Sequence, residues 1–249
     1  MLHNFLRGAG NKKIEYVGGS YAIWSNTANG TPAGFISTSL TSLTGGIGST
    51  AMPGDFVLVV VAGTMNTVST DQDLYMVTSG YTEVCDLWSN DASRCNLAIF
   101  YKIMGSTPDT VAGGSTATDD LVRLITAQVW RGVNINSPLD VTSTTATGID
   151  SGSPNPPSIT PANMGSLIVA VGCEAGYTGS TTNALLLEVP NGMDLKFSEL
   201  AYDTSSRPRT GVGIATYPWI SGAYDPGVFL GREYAYCSWC AATLALRLA

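Results

Sequence analysis

The sequence predicts an all-β protein, an antiparallel β-sandwich of jelly-roll type with about eight strands. Two apolar runs, residues 54–63 and 165–172, are rich in β-branched side chains and bounded by glycine, which is typical of buried strands. The chain after the second run repeats the spacing of strands and turns that follows the first run. Hydrophobic residues make up 44% of the 249 positions, so the apolar faces of two sheets can be supplied.

Residues 1–50 are predicted to form an N-terminal arm and a loosely ordered strand region. Repeated glycines disfavour a helix there. Segments 21–24 and 34–37 are each long enough for one strand, and the stretch 38–52, rich in Ser, Thr and Gly, is typical of a loop. We therefore expect a single jelly-roll sandwich over residues 51–249.

The first half of this sandwich, residues 51–133, shows the pattern of four strands. Their predicted positions are 55–62, 81–84, 96–103 and 122–130. The third and fourth alternate partly between apolar and polar side chains, as half-buried strands do. Trp130 and Arg131 end the fourth strand, where we expect them to pack and cap locally and not to bind a ligand.

A connector at residues 134–161 separates the first half from the second half, residues 162–249. The connector is rich in proline, which fixes φ and removes a backbone donor, so this stretch is excluded from a central strand. We expect it to cross the surface of the molecule in an extended conformation.

The second half is predicted to repeat the four strands of the first. The aligned pairs are Gly54 with Gly165, Ser79-Gly80 with Asn191-Gly192, Ala98-Ile99 with Gly213-Ile214, and Ile125-Thr126-Ala127 with Ala242-Thr243-Leu244. The offset between partners grows slowly along the chain, as small loop insertions would cause. Two similar four-strand halves that wrap into facing sheets would form a jelly roll.

The charge content restricts the partners of the protein. Charged residues make up only 12% of the chain, against roughly 25% in a typical protein, and a neutral surface suits close packing on a particle or outside a cell. The net charge is −7 and the basic residues are scattered, which argues against a nucleic-acid partner. No apolar run approaches the roughly 20 residues of a membrane helix, and residues 1–10 lack an export signal. We therefore expect no membrane partner, and folding in the cytoplasm.

The sequence contains no evident catalytic constellation, so we expect that the protein is not an enzyme. The single histidine, His3, lies in the predicted arm and is a poor candidate for the base that a Ser or Cys nucleophile needs. The 19 acidic residues do not show a spacing that places two carboxylates across a cleft. The Cys237–Cys240 motif has no second pair to complete a zinc site, so we expect no metal and no other cofactor.

Two groups of residues are candidates for a site. Cys85 and Cys95 flank a short loop and would close a hairpin with a disulfide if they are oxidised. Tyr217, Trp219 and Tyr224 lie in a segment rich in Pro and Gly, where aromatic rings serve either a ligand or a protein interface.

Several framework segments resemble structural proteins of tailed-bacteriophage virions. These segments are 54–59, 127–133 with 137–140, and 159–161 followed by 165–170. The resemblance covers roughly residues 50–249 and includes no catalytic motif. It implies a non-enzymatic virion component of jelly-roll type, such as a capsid decoration, collar or tail-attached protein. Such a component would reside in the virion, as a homo-oligomer in contact with other virion proteins.

The alternative is a carbohydrate-binding module on the virion that recognises a host-surface glycan. Aromatic faces beside Asn and Asp side chains are suited to sugar stacking, and residues 217–224 would supply them. A third hypothesis, a polysaccharide-degrading enzyme, is supported only by the number of acidic residues.

Overall fold

The computed structural model of the chain describes residues 12–25, 35–65, 71, 73–89, 94–115, 120–149, 153–177, 189–190, 192–202, 208–230 and 237–249. Within these ranges the protein is all-β, with thirteen strands, no helix and only antiparallel strand pairs. Residues 1–11 of the predicted arm lie outside the described residues. The strands are β1 (Glu15–Ser25), β2 (Phe35–Ser39), β3 (Phe56–Met65), β4 (Tyr75–Met76), β5 (Thr82–Ser89), β6 (Cys95–Ile103), β7 (Val111–Ser115), β8 (Asp120–Arg131), β9 (Thr144–Gly148), β10 (Leu167–Tyr177), β11 (Asp194–Tyr202), β12 (Pro208–Pro218) and β13 (Ser238–Leu246).

The strands form two large sheets and one small sheet. The first large sheet has the order β1-β8-β3-β6-β5, the second has the order β9-β13-β10-β12-β11, and the small sheet has the order β2-β7-β4. Side chains from both large sheets interdigitate in the main core, which confirms the predicted β-sandwich. The small sheet and residues 40–51 cover the outer face of the first sheet.

Strand β3 is apolar along its whole length because both of its faces are buried. Phe56, Leu58 and Val60 point into the main core between the large sheets. Val57 and Val59 point the other way, towards the small sheet. A strand covered on both sides loses the alternation of apolar and polar residues, which explains the continuous apolar run in the sequence.

The two large sheets have the same topology. When the strands of each sheet are numbered along the chain, both sheets follow the same order, with β1 equivalent to β9, β3 to β10, β5 to β11, β6 to β12 and β8 to β13. Strands β5 and β11 each carry a β-bulge at the equivalent position, between Glu83 and Cys85 and between Leu195 and Phe197. The prediction of two similar halves is therefore correct, and it extends to a fifth strand in each half.

The contacts between the two large sheets are those expected if an approximate two-fold axis relates one sheet to the other. Strand β3 contacts its own equivalent, β10, at the centre of the sandwich. At one side of the sandwich β1 contacts β11, and at the other side β5 contacts β9. The two lateral contacts are therefore equivalent, and we call them the β1–β11 seam and the β5–β9 seam.

The jelly-roll connectivity is not confirmed, since each large sheet takes all its strands from one half of the chain. Two edge strands of the large sheets come from outside the predicted halves. Strand β1 contains the strand predicted at 21–24 in the arm region and pairs with β8, while β9 lies within the predicted connector and pairs with β13. Strand β9 contains no proline and lies at a sheet edge, which agrees with the exclusion of the connector from a central strand.

One predicted alignment between the halves is wrong by a single residue. Ile99 and Ile214 occupy equivalent positions, because they pair with the equivalent residues Val60 and Val171. Ile125, by contrast, pairs with Val61, and the equivalent pair joins Gly172 to Ala241, not to Ala242. A slip of one residue moves a side chain to the other face of a sheet, and Ile125 accordingly packs towards the small sheet while Ala242 lies in the main core.

In the described part of the chain, no helix is long and apolar enough to cross a membrane.

Candidate functional site

The structure brings the three predicted aromatic residues together. The rings of Tyr217 and Tyr224 are stacked, with their centroids 4.2 Å apart and an interplanar angle of 15°. Trp219 donates a hydrogen bond of 2.9 Å from Nε1 to the carbonyl oxygen of Gly222. Two backbone hydrogen bonds of 2.9 Å between Tyr224 and Ile159 fix the segment against the extended connector. We call Tyr217, Trp219 and Tyr224 the aromatic cluster.

The aromatic cluster lies on the outer face of the second sheet. Its rings pack on buried Ile159, Ile168 and Ala245 and are themselves half-buried. Burial, followed by the charges of Tyr217 and Asp225, raises the pKa of the Tyr224 phenol. The cluster therefore covers part of the sheet and leaves part of its aromatic surface accessible.

Four strongly exposed apolar side chains lie at the end of the sandwich where β3 and β10 begin. Met52 and Met164 precede these two strands, Ile135 follows β8, and Ile220 follows β12. Their exposed fractions range from 51% for Met52 to 81% for Met164. Strand pairing joins these loops two by two, since Phe56 lies opposite Trp130 and Leu167 lies opposite Pro218. The bridge between Val133 and Leu248 brings both pairs of loops to the same end of the sandwich. We call these four residues the apolar end.

The candidate disulfide between Cys85 and Cys95 is not formed, and both residues are free thiols. They lie on the two strands of one hairpin, but Cys85 pairs with Ile99 and Cys95 pairs with Ser89. A disulfide requires that the two Cβ atoms approach to about 4 Å, which neighbouring strands provide only for residues that lie opposite each other. Burial raises the pKa of Cys85 to about 12, so this thiol stays protonated.

Cys95 instead meets Cys173, which belongs to the opposite sheet. The two Sγ atoms are 3.3 Å apart, and Cys240 lies beside Cys173 on the adjacent strand. All three thiols are fully buried in the main core, and burial raises the pKa of Cys173 and Cys240 well above the ordinary thiol value. Across the described residues, no three His, Cys, Asp or Glu side chains are placed to hold a metal ion. The three thiols therefore act as small apolar side chains of the core.

A pocket that the sequence did not reveal opens at the β1–β11 seam. Its volume is about 240 Å³, and it lies between the edge strands of the two large sheets. Residues from β1, β8, β11 and the 40–51 loop line it: Tyr16, Gly19, Tyr21, Thr44, Gly45, Gln128, Lys196, Phe197, Ser198 and Glu199. We call it the seam pocket.

Two β-bulges shape the walls of the seam pocket. One bulge lies in β1 between Tyr16 and Gly18, where Gly18 has a φ of 147° that other residues rarely adopt. The other lies in β11 between Leu195 and Phe197. Bulges bend a strand and redirect its side chains, and they are frequent beside functional sites.

A buried amide lies at the base of the seam pocket. Gln128 is fully buried; its Oε1 accepts a hydrogen bond of 2.5 Å from the Tyr16 hydroxyl, and its Nε2 donates one of 2.7 Å to Thr126. A Cβ atom on Gly19 would overlap the Gln128 amide, so the glycine is required for this arrangement. Burial raises the pKa of Tyr16, which therefore keeps its proton for this hydrogen bond.

Both charged groups in the seam pocket have partners. Lys196 forms an ion pair with Asp194, with 2.5 Å between Nζ and Oδ2, and its ammonium lies 5.3 Å from the centroid of the Tyr16 ring. A hydrogen bond to the Glu199 carboxylate raises the pKa of the Tyr21 phenol. The ring of Tyr21 also contacts that of Phe197, with 5.6 Å between centroids. The pocket thus presents aromatic surface, hydroxyl groups and neutralised charges.

Sequence reasoning missed the seam pocket because its residues come from four separate parts of the chain. The only local signal was the Gly18-Gly19 pair inside a segment that was otherwise long enough for a strand, since a glycine within a strand often marks a bulge or a close approach.

Comparison with known proteins adds no assignment of function. No protein-family model matches the chain. No curated protein and no solved structure matches it either.

Proposed function

We propose that the protein is a non-enzymatic structural component of a phage virion, which assembles by protein–protein contacts as a capsid decoration, collar or tail-attached subunit. The observation that carries this proposal is the apolar end, because exposed methionine and isoleucine side chains gathered at one end of a rigid sandwich are typical of an interaction surface. All four, Met52, Ile135, Met164 and Ile220, are more than half exposed although a buried apolar core lies beside them.

The composition of the surface supports the same proposal. With only 12% charged residues, the protein presents few charges whose desolvation would oppose close packing against a neighbour. The two sheets share one continuous core, so the molecule can act as a rigid block in an assembly.

The assembly role is tested by the oligomeric state of the purified chain. We expect a homo-oligomer in light scattering after size-exclusion chromatography, and a shift towards monomer in the double variant Met164→Asp with Ile220→Asp, because each aspartate would have to be desolvated in the contact. The control is Val111→Asp, which changes a residue that is 46% exposed on the small sheet and should keep the oligomer.

The virion location is tested separately, by mass spectrometry of purified phage particles. Peptides of the chain should be present in stoichiometric amounts after the particles are washed at high salt. A monomeric chain that is absent from the particles would contradict the proposal.

The second candidate function is a carbohydrate-binding module for host recognition, which the aromatic cluster favours. Its three rings are held in one place and remain partly accessible, as a stacking platform for sugars requires. A glycan array should show binding that Trp219→Ala abolishes, with Tyr75→Ala, an exposed tyrosine on β4, as the control. An array without any signal, or binding that survives Trp219→Ala, would remove this candidate.

A further inference from the structure

The lining of the seam pocket is not dictated by the topology alone, because apolar side chains take equivalent positions at the β5–β9 seam. There, Leu139 lies opposite Leu246, just as Tyr16 lies opposite Trp130 at the β1–β11 seam. Val84, Cys85 and Leu139 extend into the main core, and Ser89 donates a hydrogen bond of 2.8 Å to the carbonyl oxygen of Gly148. The two seams therefore share one topology and differ in their side chains.

The opening depends on the backbone and side chains of the β1–β11 seam. Strand β1 has a bulge next to Gly18, which bends the strand beside the pocket. Gly19 leaves the space that the buried Gln128 amide occupies. A buried amide beside an open pocket costs stability unless its hydrogen bonds are complete, and here both its oxygen and its nitrogen are bonded. Such an arrangement provides fixed polar groups in a preformed cavity, as ligand sites do.

The size of the pocket restricts its ligand. A volume of about 240 Å³ lies below the roughly 300–1,000 Å³ that is usual for drug-sized ligands, so the pocket suits a single ring and not a peptide or a dinucleotide.

The electrostatics of the pocket favour a neutral ligand. Lys196 is already paired with Asp194, and Glu199 already bonds the Tyr21 phenol. An ionic ligand would have to break one of these pairs, and the group that lost its partner would be partly desolvated, at a cost in affinity. A neutral ligand can bond to the remaining lone pairs and donor hydrogens without disturbing either pair.

The polar groups of the pocket match a ligand with several hydroxyl groups. A hydroxyl is both donor and acceptor, and the pocket offers the Glu199 carboxylate as acceptor, the Lys196 ammonium as donor, and Thr44 and Ser198 as both. Tyr21, which is 47% exposed, adds aromatic surface against which the C–H face of a sugar ring can pack, and the buried ring of Phe197 supports it with 5.6 Å between centroids. An apolar ring without hydroxyl groups would desolvate the remaining donors and acceptors of these polar groups without giving them new partners.

From these features we propose that the seam pocket binds one neutral sugar ring, a hexose or an N-acetylhexosamine unit. Tyr21, supported by the buried ring of Phe197, provides its stacking surface, and Glu199 accepts hydrogen bonds from its hydroxyl groups. The site is separate from the aromatic cluster and does not depend on the proposed role in the virion.

The test is a titration of the chain with glucose, galactose, mannose and N-acetylglucosamine, in which backbone amide chemical shifts report binding. At least one of these sugars should bind saturably at millimolar concentration, with shifts at Gly19, Thr44 and Ser198. Tyr21→Ala should weaken the affinity by about 5-fold, since loss of one aromatic contact is worth about 1 kcal/mol. Glu199→Gln should also weaken it, and gives a second measure if Tyr21→Ala disturbs folding.

Two control variants distinguish this pocket from other surfaces. Tyr202→Ala removes another exposed tyrosine of β11 that does not line the pocket, and Tyr75→Ala removes an exposed tyrosine of β4 on the small sheet; both should bind the sugar as the unmodified chain does. N-Acetylneuraminic acid serves as the anionic comparison and should bind more weakly than the neutral sugars. The proposal is overturned if no neutral sugar saturates the chain, if Tyr21→Ala and Glu199→Gln both leave the affinity unchanged, or if either control loses as much affinity.

Discussion

Two arginines at equivalent positions hold the turns that begin the central strands. Arg131 follows Trp130 at the end of β8 and binds Asp55, with Nε–Oδ1 and Nη2–Oδ2 distances of 2.8 and 2.9 Å. Arg247 follows β13 and binds Asp140, with 3.1 Å between Nε and Oδ1. Each aspartate also accepts backbone N–H groups of a turn: Asp55 from Met52, and Asp140 from Ala162 and Asn163. The expectation that Arg131 caps the structure locally agrees with these contacts.

Asp140 accepts hydrogen bonds from three residues, Ala162, Asn163 and Arg247, so its substitution should destabilise the protein. Although burial opposes its charge, the hydrogen bonds from Asn163, Ala162 and Arg247 lower its pKa below the ordinary value. We expect Asp140→Asn to reduce the free energy of unfolding by about 2 kcal/mol near neutral pH, because an amide cannot accept all the bonds of a carboxylate. Urea denaturation measures this change in the free energy of unfolding. The control is Asp109→Asn, which breaks a partly exposed ion pair with Lys102 and should lose less than about 1 kcal/mol.

The contribution of Asp140 should also disappear in acid. Because the folded-state pKa is lowered, the stabilisation is complete above the ordinary pKa near 3.8 and is lost as the pH falls through and below that value. Equal losses for Asp140→Asn and Asp109→Asn, or a loss that persists at the acid limit, would contradict this account.

Glu174 should have the opposite pH dependence. It is 1% exposed on β10, and burial raises its pKa to about 8 from an ordinary value of 4.5. As the pH rises through this interval, the unfolded chain loses the proton while the folded chain keeps it, so stability falls by up to about 1.4 kcal/mol per pH unit. Glu174→Gln removes the titration, so its unfolding free energy should decline less between about pH 4.5 and about pH 8. Parallel declines in the variant and the unmodified chain would show that this carboxyl is not the cause.

At the level of elements, the turns before β3 and β10 require glycine. Gly54 and Gly165 have φ values of 83° and 84°, in the left-handed region that other residues enter at a cost. A Cβ on Gly54 would meet nothing within 4 Å, so its replacement tests backbone conformation alone. A Cβ on Gly165 would lie 2.8 Å from Leu248.

We therefore expect Gly54→Ala to reduce the free energy of unfolding by about 1–2 kcal/mol, and Gly165→Ala to reduce it by more. Gly105→Ala is the matched control, because no atom lies within 4 Å of its Cβ position and its φ is not in the left-handed region. This control should change stability by less than about 1 kcal/mol. Thermal or urea unfolding of the three variants ranks them, and a loss at Gly105 as large as at Gly54 would contradict the conformational explanation.

Elements differ in how far the sequence could predict them. Strands β3 and β10 were evident because burial on both faces leaves an uninterrupted apolar run. Strand β9 contains only Thr, Ala and Gly and lies at an edge, so it carries almost no hydrophobic signal. The aromatic cluster could be predicted because its members are close in sequence, whereas the seam pocket joins Tyr16 to Gln128 and Phe197 through tertiary contacts alone.

For the whole molecule, one continuous core should make unfolding a single cooperative event. The main core takes side chains from both large sheets, so neither sheet can lose its partner without exposing a full apolar face. We expect pulse alkylation with peptide mapping to show the same urea midpoint for Cys85 in the first sheet and Cys240 in the second. Separate midpoints would indicate that the two halves unfold independently.

The unequal seams have a consequence for how this molecule can diversify. At the β5–β9 seam, Leu139, Val84 and Cys85 pack against the main core, where loss of apolar volume is costly. At the opposite seam, Tyr21 is 47% exposed and Glu199 is half-buried, so their replacement should cost the fold less. One flank of the sandwich can therefore change its binding preference by substitution while the packed flank keeps the two sheets together.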